Sequence, residues 1–193
     1  MGPTPCPVPY MVCFRVVPIL LFIVINTLAH ALPLLAVALL KAILPFGWAR
    51  RVCNPVVTGF AENWIAVNSA MIDGMTRTRF DVSEGAELRQ DGHYLVLANH
   101  QSGVDILVLQ KIFNRRIPML KFFLKRELIW VPVIGLAWWA LDFPFMQRRG
   151  GASSAQDLER ARKACEKFRV VPTSVFNFPE GTRFTGAKHD TQG

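Results

Sequence analysis

Residues 16–40 make a run of 25 positions without an Asp, Glu, Lys or Arg, and it contains Ile-Leu-Leu-Phe-Ile-Val-Ile at 19–25 and Leu-Leu-Ala-Val-Ala-Leu-Leu at 34–40. About 20 helical residues cross a bilayer core, so the run predicts a membrane helix long enough to cross with some tilt. Three positions complicate a simple span. Pro33 frees a backbone carbonyl, and Asn26 and His30 are costly in hydrocarbon unless each is paired. The pattern therefore fits either a crossing helix or a kinked, re-entrant helix or helix pair that dips into one leaflet. Pro45, Phe46 and Gly47 mark a break, and residues 48–75 predict a helix that joins this anchor to the rest of the chain.

From about residue 79 the pattern changes to short apolar runs alternating with helical stretches. The run Tyr-Leu-Val-Leu-Ala at 94–98 comes after the turn signal Asp91-Gly92 and predicts a buried strand. Further strands are predicted at 119–124, 143–147 and 173–178. Helices are predicted at 103–113 and 154–168, with a helical or irregular apolar segment at 132–141. The 154–168 helix is the clearest: Ser154 can cap it, Asp157 completes a capping box, and Leu158, Ala161, Cys165 and Phe168 line one face. Strands alternating with helices imply an α/β fold, a sheet flanked by helices, preceded by the membrane helix or helix pair. The chain divides into an anchor at 1–47, a helical connection at 48–78 and one active domain at 79–193, which suits a length of 193 residues. The last predicted strand lies close to Gly193, so a sheet edge and more of the domain are expected beyond it, and the sequence reads as C-terminally truncated.

Composition sharpens this picture in two places. An apolar fraction of 51% is close to that of a globular chain, so the positive mean hydropathy comes from the N-terminal run. That run is too long for a cleaved signal peptide, with only Arg15 ahead of it and no small-residue cleavage site behind, and it reads as a retained anchor. Met1-Gly2 is followed by Pro3, and Cys6 stands where a myristoylation motif needs Ser or Thr. Arg50 and Arg51 after the run favour a cytoplasmic C-terminal side.

The net charge of +8 is unevenly placed. Residues 81–110 hold one basic and five acidic groups, for −4, and residues 111–149 hold eight basic and two acidic, for +6. The basic stretch also carries Phe122, Phe123, Trp130, Trp138, Trp139, Phe143 and Phe145. That mixture suits an anionic membrane surface, or else a solvated basic face over an aromatic core. No nucleic-acid motif accompanies it. Cys6, Cys13, Cys53 and Cys165 form neither a C-x-x-C nor a Cys/His ligand spacing, so no metal site is expected and a reducing cytoplasm is compatible.

Two clusters carry chemistry. His100 lies between a predicted strand and a predicted helix, the place where α/β proteins present reactive groups. A histidine there can take a proton from a hydroxyl near neutral pH. Five helical positions rotate by about 140°, so Asp105 reaches His100 only if His100 lies in the loop and Asp105 in the first helical turn. From there the carboxylate could fix one tautomer and stabilise the imidazolium, as in a Ser-His-Asp site without its serine. Ser102 and Asp105 also have capping-box spacing, and the two roles are compatible.

The second cluster is Phe-Pro-Glu-Gly-Thr-Arg at 178–183, again just after a predicted strand. Arg183 offers a planar donor fork for a phosphate, Gly181 admits close backbone approach and Thr182 adds a hydroxyl donor. Standing alone, the same residues make an ordinary turn with a surface charge.

Asn-His-x4-Asp at 99–105 together with Phe-Pro-Glu-Gly-Thr-Arg at 178–183 resembles the glycerolipid acyltransferase family, specifically the 1-acylglycerol-3-phosphate (lysophosphatidic acid) acyltransferases. The resemblance covers roughly residues 94–190. Leu-Lys-Arg-Glu-Leu at 124–128 with Pro132 and Gly135, then Phe-Met-Gln-Arg at 145–148, looks like the family's intermediate block. The longer form at 177–185, with Lys188 and His189, is similar to the bacterial inner-membrane and lysocardiolipin acyltransferase-like branch. The family's last block has no counterpart before Gly193.

The resemblance implies His100 as general base and Asp105 as its orienting partner. It implies Glu180, Gly181, Thr182 and Arg183 as ligands of the acceptor's glycerol phosphate, with Arg148 as a further candidate. It also implies no cofactor: the partners are a lysophospholipid acceptor and a thioester donor, acyl-CoA or acyl carrier protein, at a bacterial inner membrane with the catalytic domain cytoplasmic. Three other classes fit the sequence less well. A metal-dependent phosphoesterase needs upstream Asp and His ligands, and no Asp precedes Asp73. A serine hydrolase lacks its Gly-x-Ser-x-Gly. A membrane-anchored lipid-binding protein without turnover stays as the alternative.

Overall fold

The computed structural model describes residues 8–44, 46–75, 78–83, 87–146 and 172–179, together with residues 159, 162, 163 and 166. The N-terminal apolar run forms one helix, α1 (Val8–Ile43), that continues through Pro18 and Pro33, and α2 (Gly47–Met75) returns along it. Within α1, Val17–Ile43 is long and apolar enough to cross a membrane.

The two helices form an antiparallel hairpin because each supplies what the other lacks. Ala49, Cys53, Val57, Ala61, Ile65 and Asn68 recur at intervals of three or four on α2 and form its buried stripe. The polar interruptions of α1 are met from α2. The Asn26 amide donates to the Asn68 side-chain oxygen at 2.8 Å and to the Trp64 carbonyl at 3.3 Å, and the Trp64 indole donates to the Thr27 hydroxyl at 3.1 Å. His30 donates from Nδ1 to the Asn26 carbonyl and accepts at Nε2 from the Asn63 amide, both at 2.9 Å. The opposite side of α1 stays open, with Val17, Leu21, Val24, Ile25, Leu28, Leu32, Leu39 and Ile43 exposed along its length.

The domain beyond the hairpin is built on short parallel strands. Strands β1 (Tyr94–Leu97) and β2 (Leu120–Phe122) flank a central strand from the far end of the described chain, Ser174–Asn177. Between β1 and β2 lies α3 (Asp105–Phe113). The strand predicted at 119–124 is interrupted at Phe123. Its continuation, β3 (Leu124–Lys125), leaves the main sheet and pairs in parallel with β4 (Phe145–Met146). A 3-10 helix (Arg126–Trp130), which the hydrophobic pattern does not announce, and α4 (Ile134–Ala140) connect these two. With β5 (Ser174–Asn177) the main sheet has the order β1-β5-β2, all parallel. Residues 159, 162, 163 and 166 are helical, inside the predicted 154–168 helix, whose other positions lie outside the described residues.

Two cores result. One gathers Leu34 and Ala38 of α1, Val57 and Ala61 of α2, and Leu124, Ala140 and Phe143 of the sheet-bearing domain, so helix pair and domain share a core. The other lies against the main sheet around Ile117, Leu120 and Phe176. Polar contacts reinforce the join: the Asn114 amide donates to the Glu62 carbonyl at 3.0 Å, and Lys111 of α3 pairs with Asp73 near the end of α2 while lying over the Phe80 ring.

Candidate active site

The site is assembled by strand register. In the β1–β5 pair Tyr94 stands opposite Ser174 and Leu97 opposite Asn177. Leu97 and Asn177 are the last residues of their strands, so the loop bearing His100 and the segment beginning at Phe178 leave the sheet side by side. Ligand sites in open parallel sheets lie at that edge. The loop of the first motif and Phe178-Pro179, the described start of the second, therefore meet at that edge although some 75 residues separate them in sequence.

His100 sits in the loop after β1, and Asp105 opens α3. The carboxylate reaches back: His100 Nδ1 lies 3.0 Å from Asp105 Oδ2, with the two side chains 17% and 21% exposed. An ionised carboxylate can only accept, so the proton of this bond belongs to Nδ1, and the basic lone pair of the imidazole is the one on Nε2. The same Oδ2 accepts the Gln101 and Ser102 backbone N–H groups, each at 2.8 Å, and Oδ1 accepts the Ser102 hydroxyl at 3.0 Å. The His100 hydrogen bond, and after it the Ser102 N–H, holds the Asp105 carboxyl far below the usual carboxylate range.

Capping and orientation are thus performed by one carboxylate. The Asp105 bond to the Ser102 N–H is the reciprocal half of a capping box, and the Ser102 hydroxyl accepts the Val104 N–H at 3.2 Å. No side chain caps the helix at Val104 itself. The loop from His100 to Val104 is consequently tied to Asp105 at three successive residues, which fixes the imidazole from one edge.

Phe178 fixes it from a face. Its ring stacks on the His100 ring with centroids 3.8 Å apart and planes inclined by 17°. Behind it, Phe176 meets Phe178 edge-on at 4.5 Å, and Phe176 is fully buried in the sheet core. The chain of contact runs from the core through Phe176 and Phe178 to the imidazole. Sequence reasoning did not assign this role to Phe178; its position as first residue after a strand adjacent to that of His100 is the signal, and it requires the strand pairing. Glu180, Gly181, Thr182, Arg183 and Arg148 lie outside the described residues. Pro179 is the last described position of the second motif, directly after the stacked ring.

Comparison with known proteins settles the family. The family model described as Acyltransferase matches residues 79–192, more than half of the chain and all of the segment that builds this site. The chain belongs to the acyltransferase family.

Curated relatives of this family member carry compatible names. It is 33% identical over 93 residues to 1-acyl-sn-glycerol-3-phosphate acyltransferase alpha of Mus musculus, covering 47% of this chain and 30% of that one. It is 34% identical over 109 residues to 1-acyl-sn-glycerol-3-phosphate acyltransferase 3 of Arabidopsis thaliana, covering 55% and 28%. To the 1-acyl-sn-glycerol-3-phosphate acyltransferase of Salmonella typhimurium it is 27% identical over 101 residues, covering 52% and 39%. The matched segments thus span about a third of the length of these curated relatives. Among solved structures, the 1-acyl-sn-glycerophosphate (LPA) acyltransferase PlsC of Thermotoga maritima superposes with a TM-score of 0.50 at 20% identity, over 85% of this chain and 64% of that one. The chain therefore shares that fold.

Proposed function

We propose that this acyltransferase moves a fatty acyl group from a thioester, acyl-CoA or acyl carrier protein, to the sn-2 hydroxyl of lysophosphatidic acid or a related lysophospholipid. The observation that carries the proposal is the contact of Phe178 with His100, because it joins the Asn-His-x4-Asp motif to the Phe-Pro-Glu-Gly-Thr-Arg motif at one sheet edge. His100 Nε2 takes the proton of the acceptor hydroxyl while Asp105 stabilises the imidazolium through Nδ1. The alkoxide oxygen attacks the thioester carbonyl, the C–S bond breaks from the tetrahedral intermediate, and the imidazolium returns its proton to the departing thiolate. In this scheme Glu180, Gly181, Thr182 and Arg183, next in the chain after the stacked ring and Pro179, receive the acceptor phosphate, with Arg148 a second cation for the same anion. No resident cofactor enters these steps.

Membrane attachment gives the scheme its substrate supply. The open apolar face of α1 lies in lipid, with Arg50 and Arg51 on the cytoplasmic side, and both acceptor and product stay in the bilayer while their headgroups enter the site. The setting is a bacterial inner membrane and the process is phospholipid synthesis or remodelling.

The test is transfer of labelled acyl from acyl-CoA to a panel of lysophospholipids by full-length protein in vesicles. The proposal expects a labelled diacyl product with lysophosphatidic acid that depends on the thioester. Binding of lysophosphatidic acid without any such product would instead identify a lipid-binding protein.

A further inference from the structure

The segment joining the 3-10 helix to α4 is built unlike the rest of the domain. Val133 adopts φ 65 and ψ −57, and the Ile134 N–H donates to the Pro132 carbonyl at 2.7 Å. Together these close a three-residue γ-turn of the strained, positive-φ hand. β-Branched residues are genuine outliers there, and such strain persists only where the surroundings impose it. The imposing contact is visible at Gly135, where a Cβ would stand 2.2 Å from the Ile129 carbonyl oxygen, so two backbones meet with no room for a side chain.

The turn directs apolar side chains outward. Trp130 is 85% exposed, Trp139 57% and Leu136 52%, and Val131 and Pro132 are exposed beside them. On the inner side Ala137 and Ala140 belong to the core that contains Leu34 and Ala38 of α1. This outward knuckle is therefore mounted directly on the apolar helix.

We propose that the knuckle of Trp130, Leu136 and Trp139 is a second lipid contact, docking in the headgroup zone of an anionic bilayer beside the open face of α1. Continuity argues for lipid as the occupant, since Leu32 and Leu39 of α1, exposed on its open side, flank the very turns that α4 packs against. The residue type argues for the headgroup depth, because an indole has an apolar body and one polar N–H and concentrates at membrane interfaces. At the knuckle itself Lys125 and Arg126 are balanced by Glu127 and Asp142, and the basic excess that suits an anionic surface belongs to the wider segment, where residues 111–149 carry a net +6. With α1 alone the domain could swivel about one helix. Two contacts fix its tilt and hold the carboxyl edge of β1 and β5 at a set height over the lipid. The proposal rests on α1 lying in a membrane and is independent of the acyl-transfer chemistry.

The test uses full-length protein in vesicles of phosphatidylcholine with phosphatidylglycerol, and reads quenching of tryptophan emission by chain-brominated lipid. Of the five tryptophans, Trp48, Trp130 and Trp139 are strongly exposed. Replacing both knuckle indoles in W130F/W139F is expected to cut the quenched emission to about half of wild type or less, because two of three interfacial candidates are gone. A W48F variant, with the knuckle intact, keeps most of it. Unchanged quenching in W130F/W139F overturns the proposal. So does emission from the knuckle that is shielded from iodide yet untouched by brominated lipid, which would mean that another protein covers it.

Discussion

Replacing Phe178 by leucine separates orientation of the imidazole from everything else Phe178 does. Leucine keeps an apolar side chain against Phe176 but cannot present a flat face 3.8 Å from the His100 ring. A stacked ring pair contributes about 0.5–1.5 kcal/mol beyond its burial. With about tenfold in rate for each 1.36 kcal/mol, loss of that restraint lowers kcat about two- to thirteen-fold. Phe178 is only partly buried, so F178L is expected to remain folded, which thermal unfolding checks before the effect is read. Steady-state transfer by full-length enzyme in vesicles gives the decisive split. A residue that acts only by orienting the base changes kcat and leaves KM for the acceptor alone. F178Y, which restores an aromatic face, should return kcat toward wild type. Wild-type kcat in F178L, or a raised KM with kcat unchanged, would refute the role assigned to the stack.

Three further outcomes are expected. S102A removes both the donor to Asp105 Oδ1 and the acceptor of the Val104 N–H, so thermal unfolding should show a loss of about 1 kcal/mol, typical of a lost helix cap, with a smaller fall in activity than D105N. In the helix pair, N26L takes the donor from the buried Asn68 side-chain oxygen and should cost about 1–3 kcal/mol, while N26L/N68L together recovers most of it in detergent-solubilised protein. Because the folded Asp105 carboxyl is held below its ordinary value of 3.8, its contribution to stability is complete above that pH and is lost as pH falls further. The stability gap between wild type and D105N should therefore be full near neutrality and narrow only in acid below about pH 4.

The placement of His100 and Asp105 was legible in the chain because both belong to one local motif at a strand end. The His100 to Asp105 spacing excludes a shared helix face and so requires a loop and a first turn, which is the arrangement observed. Asn26 and His30 announced that an apolar helix needed polar partners. Asn63, Trp64 and Asn68 could not be singled out as those partners, since they lie 33 to 42 residues away on a helix whose register nothing local fixes. Phe178 was hidden for the same reason: its meeting with His100 depends on β5 entering the sheet beside β1, a pairing made across about 80 residues. The break at Phe123 and the 3-10 helix after it were also invisible, because two- and three-residue strands carry too few alternations to show a change of sheet.

In the proposed mechanism His100, oriented by Asp105, removes the acceptor proton. Transfer of labelled acyl from acyl-CoA to lysophosphatidic acid, measured with full-length His100→Ala protein at matched folding and vesicle binding, tests it directly. General-base removal of this kind supplies about 10²–10⁴-fold, and the account predicts a loss of that size in kcat with acceptor binding retained. Near-wild-type transfer by the alanine variant would contradict it.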